Sequence, residues 1–189
     1  MLLDKIKTLA AQHQAENIAI RRHLHANPEL SYQEFETSKY VQAQLTAIGI
    51  PFTVIAATGV LGIIEGKNPS KRVIALRADM DALPIIEENK IDYKSTNEGV
   101  MHACGHDSHT AMLVGAAKVL KQHQNELAGS VDFFFQTGEE GFFGAREVLE
   151  EGLFDAPNAP DAVFALHITP LLDAGIFTGR PGPLLAAAD

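Results

Sequence analysis

The sequence predicts an α/β fold, a helix–sheet–helix three-layer sandwich on a mainly parallel mixed sheet. Three observations carry this. Segments with helical hydrophobic spacing alternate with short β-branched runs, the pattern of strands linked by crossover helices. Residues 131–136 are apolar almost throughout, as expected of a strand buried on both faces. The chain has 189 residues, enough for one sizeable core and too few for two comfortable ones.

The elements follow in order. Ile6, Leu9, Ala10, Ile18, Ile20 and Leu24 recur at helical spacing and predict one amphipathic helix over 4–26. Asn27 and Pro28 should end it, because the residue before proline avoids the α region. Ser31 and Glu34 read as a capping box opening a second helix, which runs to Ile48 and closes at Gly49. Strands are expected at 52–56, 60–65 and 72–78, then an irregular connection over 85–103. A strong helix over 107–123 carries Ala111, Met112, Val114 and Leu120. After the strand at 131–136 come a short helix at 144–151, a second buried strand at 162–167 and a shorter one at 175–179. Residues 1–180 read as one domain and 181–189 as a linker.

Composition narrows the function classes. Hydrophobic residues make up 46% and charged residues 21%, ordinary for a globular chain. Fifteen Lys and Arg against 24 Asp and Glu give a net charge of −9, with no basic run. Nucleic acid and anionic membrane are therefore excluded as expected partners. A single cysteine cannot form an intramolecular disulfide and fits a reducing compartment, so the expected location is the cytoplasm. Neither a signal peptide nor a stretch of membrane-spanning length is read.

Open α/β sheets bind ligands beyond the carboxyl ends of their strands. Asp79 and Asp81, Glu139 and Glu140, and His167 all fall at such ends, while Cys104 and His106 precede the long helix. These are metal-ligand types. A thiolate, imidazole and carboxylate set suits zinc and tolerates manganese, cobalt or nickel. Cys104, near a helix N-terminus, is expected to ionise readily. Of the adjacent Glu139 and Glu140, one can hold a metal while the other stays free as a general base. His23 and His25 read as packing or supporting groups, His102 and His109 as flanking groups, and His13 and His123 as surface residues. Phe133–Phe135 and Phe142–Phe143 read as core, or as a dry wall beside the site.

The motifs then become specific. HACGHDSH at 102–109, RADMDALP at 77–84 and RHLHANPELS at 22–31 resemble the hippurate hydrolase and auxin-conjugate hydrolase branch of the metal-dependent aminoacylase and carboxypeptidase superfamily. QTGEE at 136–140, LH at 166–167 and GPLLAAAD at 182–189 fit the same pattern in the same order. The resemblance implies a zinc-exopeptidase-like catalytic domain, present in its N-terminal part. It implies two divalent metal ions, zinc or manganese foremost, held by Cys104 as a bridge with His106, Glu140 and His167. It makes Glu139 the general base and Asp81 a support for the metal site rather than a ligand. Thr137 and Gly138 stand where the family usually has proline and alanine, and Ala165 where glycine is common. The family's enzymes continue into a lid domain and a returning segment that brings a last histidine ligand.

The expected activity is hydrolysis of the amide bond of N-acyl amino acids such as hippurate, giving a carboxylic acid and an amino acid. The expected partner is that small substrate, and homo-oligomerisation is left open. Two other readings compete. One is a truncated, non-catalytic fragment that retains partial metal binding. The other is a thiol hydrolase with Cys104 as nucleophile.

Overall fold

A computed structural model of the chain describes residues 2–69, 71–155 and 159–182. Three helices come first: α1 (Leu2–Gln12), α2 (Gln14–Ala26) and α3 (Phe35–Ile48). Strands β1 (Phe52–Ile55), β2 (Gly59–Glu65) and β3 (Val73–Asp79) follow, then α4 (His106–Gln122). A 3-10 turn (Gln124–Glu126) leads into β4 (Ser130–Gln136), α5 (Gly144–Glu150) and β5 (Ala162–Ala165).

The five strands form one sheet in the order β1-β2-β4-β3-β5. Its β1–β2 and β2–β4 pairings are antiparallel, and its β4–β3 and β3–β5 pairings are parallel. The sheet is thus mixed and open, with parallel pairing confined to β3, β4 and β5, the strands that α4 and α5 connect. Along β4 the pleat sends Phe133 and Phe135 to one face and Phe134 to the other. The first face packs with Val60, Ile64 and Ala78 under Leu24, Val41, Leu45, Val114 and Ala117 of α2, α3 and α4. The second packs with Ala56 and Val148 of α5. Each buried phenylalanine is worth about 2 kcal/mol of transfer free energy, so β4 anchors both layers.

Several elements depart from expectation. The helix expected over 4–26 breaks at His13 (φ −89°, ψ 1°), whose Nε2 accepts from Gln122 of α4 at 3.0 Å. His13 is therefore no free surface group, and His123 is buried against Glu126. α2 does end at Asn27 before Pro28. The capping box does not form. Glu29 instead accepts from the Glu36 and Thr37 amides at 3.2 and 2.8 Å, so the α3 N-terminus is capped from a neighbouring turn. Gly49 closes α3 in the left-handed conformation (φ 79°), and the Ile50 amide reaches back to Leu45 O. In α4, Ala111 and Val114 are buried but Met112 is exposed.

The strand expected to be buried over 162–167 is shorter and lies at the sheet edge, pairing only with β3. Its residues 163–165 are exposed, because an apolar run alone does not separate an edge strand from a central one. No strand forms over 175–179. Phe142 and Phe143 are exposed rather than core. The linker expected over 181–189 lies almost wholly outside the described residues. No helix of the described residues is long and apolar enough to cross a membrane.

Candidate metal centre

Parallel pairing aligns the strand ends. Asp79 stands opposite Gln136, and Arg77 opposite Ala165, so β3, β4 and β5 release their chains at one rim. α4 starts there as well, after Gly105 in the left-handed conformation (φ 96°). The residues at the rim are Asp79 and Asp81, Glu139 and Glu140, His167, and Cys104 and His106, as read from the sequence.

His106 is the hub. It is fully buried, and its Nδ1 donates to the Asp81 backbone carbonyl at 2.8 Å, with Asp81 Oδ1 at 3.2 Å. That bond fixes the tautomer and leaves Nε2 as an acceptor aimed into the rim. Nε2 lies 3.7 Å from each of Asp79 Oδ2, Glu139 Oε2 and Glu140 Oε1. His106 Nε2 and Glu140 Oε1 are both buried and lack a hydrogen-bond partner among the described residues. Orphaned buried polar atoms are costly, and two electron-pair donors facing each other call for a cation. Cys104 Sγ lies 3.4 Å from His167 Nε2. Ligand atoms of Cys104, His106 and His167, of Asp79, His106 and His109, and of His106, Glu139 and Glu140 each gather within 4.8 Å. The first and third of these groups fit a divalent metal, and sharing His106 lets them lie side by side, while His109 uses both ring nitrogens in hydrogen bonds.

Asp81 supports this arrangement. Its Oδ2 accepts from Ser31 Oγ at 2.6 Å and from the Glu140 amide at 2.9 Å. Burial pushes the Asp81 carboxyl up, but bonds from His106, Glu140 N–H and Ser31 outweigh it and hold it below the usual carboxylate range. One side chain therefore orients both His106 and the turn that carries Glu140.

Electrostatics correct one expectation. The Cys104 thiol is not acidified by the helix end. Burial, then the neighbouring Glu140, Glu139 and Asp79 carboxylates, push it up to about 12. A bound cation would reverse that balance, since the thiolate is the form that binds metal. Glu140 is likewise pushed up, chiefly by burial.

The 137–140 turn is fixed rather than loose. The buried Glu34 carboxylate accepts from the Thr137 hydroxyl at 2.8 Å and the Gly138 amide at 3.0 Å, with Thr58 Oγ1 also 2.8 Å away. Gly138 has φ 62°, and a Cβ there would come within 2.8 Å of the Tyr32 ring. Thr137 and Gly138 thus replace ring rigidity with a hydrogen-bonded anchor. A glutamate three residues after Ser31 signals a cap, and nothing in its local pattern points to a turn 103 residues away.

Three further groups were underread. His109 Nδ1 donates to Asp79 Oδ1 at 2.6 Å, and Arg77 pairs with Asp79 at 2.7 Å. Asp79, otherwise raised by burial, is held well below the usual carboxylate range by His109 and Arg77. His25 bridges Asp107 Oδ2 (2.7 Å) and Glu87 Oε1 (3.0 Å), with Arg21 on the same Asp107 oxygen at 2.8 Å. This buried network lies directly behind His106. His102 is buried with both ring nitrogens unpartnered among the described residues, and burial pushes it down to about 4. The spacing of His106 and His109 was the available signal, since residues three apart share a helix face.

The chain is an α/β protein with side chains of metal-ligand type at the carboxyl edge of its parallel strands. The chain belongs to Peptidase family M20/M25/M40, whose model matches residues 75–182. It is similar to the IAA-amino acid hydrolase ILR1-like 5 of Arabidopsis thaliana, 47% identical over 90% of this chain and 38% of the relative. It is also similar to the N-acyl-L-amino acid amidohydrolase of Geobacillus stearothermophilus, 44% identical over 100% of this chain and 50% of the relative. Among solved structures it resembles the YXEP protein of Bacillus subtilis, described as a dinuclear metal binding peptidase from the M20 family. That likeness has TM-score 0.77 and 43% identity, covering 87% of this chain and 44% of that one. The chain spans half the length of the curated relatives it matches, or less.

Proposed function

We propose that this chain builds the metal-holding part of a metal-dependent amidohydrolase that cleaves N-acyl amino acids, hippurate-like compounds included. The observation that carries the reading is the orphaned His106 Nε2, buried and facing the Glu139 and Glu140 carboxylates. The similarity to an N-acyl-L-amino acid amidohydrolase supports the substrate class. Cys104, His106, Glu140 and His167 would hold two divalent cations, with zinc or manganese suiting the mixed donor set and cobalt or nickel tolerated. Bound cations supply Lewis acidity, which acidifies water and takes up charge developing on the scissile carbonyl oxygen.

The chain's own residues do the rest. Glu139 is more exposed than its neighbour, with side-chain exposures of 40% and 19%, so it can reach water and substrate from the rim. It takes the proton of the attacking water and delivers it to the leaving amine nitrogen. Asp81 holds the His106 ring and the Glu140 turn. A cytoplasmic location accords with the lone Cys104 kept reduced as a ligand.

Metal content and turnover of hippurate-like substrates test this in the full-length protein. Glu139→Gln should keep its metal and lose turnover. Undiminished turnover in that variant would remove Glu139 as the base, and hydrolysis untouched by chelators would sink the metal reading.

A further inference from the structure

The segment after β5 has few restraints. Leu166 and His167 are exposed, and no strand continues beyond Ala165. Two contacts of Ile168 tie it to α4 and to the residue before that helix. The Ile168 amide donates to His109 Nε2 at 3.0 Å. The Ile168 side chain lies over Gly105, where a Cβ would come within 2.4 Å of Ile168 Cδ1.

His109 is built for this contact. It sits one helical turn after His106, and its ring meets the His167 ring edge-on at 4.7 Å between centroids. Asp79 Oδ1, a carboxylate oxygen, accepts from His109 Nδ1 at 2.6 Å. The proton therefore resides on Nδ1, and Nε2 is left as the acceptor that a backbone N–H requires. Arg77 fixes Asp79 in turn at 2.7 Å. The result is a chain of contacts from β3 through α4 to the segment carrying His167.

We propose that His109 is a positioning residue: it clamps the Ile168 backbone and so holds His167 Nε2 beside Cys104 Sγ, 3.4 Å away. Its value to metal binding rests on the reading of Cys104 and His167 as ligands. Without the clamp, Ile168 keeps only its side-chain contact with Gly105, and His167 is no longer held beside Cys104.

The test uses the full-length protein and three variants, His109→Ala, His109→Asn and His109→Gln. A glutamine amide reaches the position of Nε2 and can accept from Ile168. An asparagine amide reaches only Nδ1, keeping the Asp79 bond and losing the clamp. Amide exchange at Ile168, followed by NMR, should quicken at least tenfold in the alanine and asparagine variants and stay slow in the glutamine variant. Zinc titration with elemental analysis should show the weaker-bound ion loosened about 10- to 100-fold in alanine and asparagine variants, as for other residues that orient ligands. The glutamine variant should recover it. A merely structural role would weaken all three alike, in step with their melting temperatures. Slow exchange at Ile168 in both the alanine and asparagine variants would overturn the clamp. Fast exchange with unchanged zinc affinity would overturn its role in metal binding. If the unmutated protein binds no zinc, the metal-site reading fails, and exchange at Ile168 alone decides the clamp.

Discussion

His106 Nε2 faces Glu140 Oε1 across 3.7 Å, and both atoms are buried without a hydrogen-bond partner among the described residues. A cation bound between them would satisfy both at once. Glu140→Gln should therefore lower bound metal below the level of the unmutated protein, while Glu139→Gln should not. Elemental analysis of protein purified without chelators separates the two. Equal metal in both variants would count against the assignment of Glu140 as ligand.

Asp81 fixes the His106 ring and the Glu140 turn at once, through bonds at 3.2 and 2.9 Å. Asp81→Ala should weaken metal binding about 10- to 100-fold, the usual cost of losing a group that orients a ligand. Calorimetric titration with zinc reads this directly. An unchanged affinity would mean that the backbone carbonyl of residue 81 suffices to hold the ring.

Glu34 anchors the turn before the glutamate pair through Thr137 and Gly138. Glu34→Ala leaves those buried donors unpaired and should cost about 2–3 kcal/mol of unfolding free energy. Thr137→Val should cost about 1 kcal/mol, because it removes one donor and leaves the Gly138 bond in place. Urea unfolding of both variants checks the ratio, and a larger loss for Thr137→Val would refute the anchor.

Asp132 lies in the middle of β4, and burial alone pushes its carboxyl up to about 6. A folded-state value above the unfolded 3.8 means that the native chain holds the proton more tightly. Stability should then fall as pH rises from about 4 to about 6, and stay lowered above that. Asp132→Asn should raise stability by about 1–2 kcal/mol at pH 7.5 and have no effect near pH 3.5. Thermal unfolding of both proteins across that range tests the sign, and a gain confined to low pH would reverse the argument.

His25 behaves in the opposite sense. The hydrogen bond that its ring donates to Asp107 raises it above 6.5, against the opposing effect of burial, and Glu87 adds to the rise. Its stabilisation is full below pH 6.5, where the unfolded ring is also protonated, and is lost as pH climbs through the raised folded value. His25→Gln should cost about 3 kcal/mol at pH 6 and markedly less at pH 9. A cost that does not shrink with rising pH would show that packing, not charge, is what His25 contributes.

Features that depend on local pattern could be read from the residues. β4 was legible because a nearly continuous apolar run needs cover on both faces. Gly49 was legible because closing a helix in the left-handed conformation favours glycine. The rim residues were legible because Asp79, Asp81, Glu139, Glu140 and His167 follow apolar runs. Tertiary structure alone decided the rest. It placed β5 at an edge, which no single-strand pattern encodes. It turned Glu34 from an expected cap into the anchor of a turn 103 residues away, and joined His25 to Glu87 and Asp107 across 62 and 82 residues. It raised the Cys104 thiol, first by burying it and then by surrounding it with carboxylates from two other strand ends. Hydrogen bonds and Coulomb interactions act over a few ångströms in space whatever the separation along the chain. Sequence could therefore name the chemical groups, and only the fold could pair them.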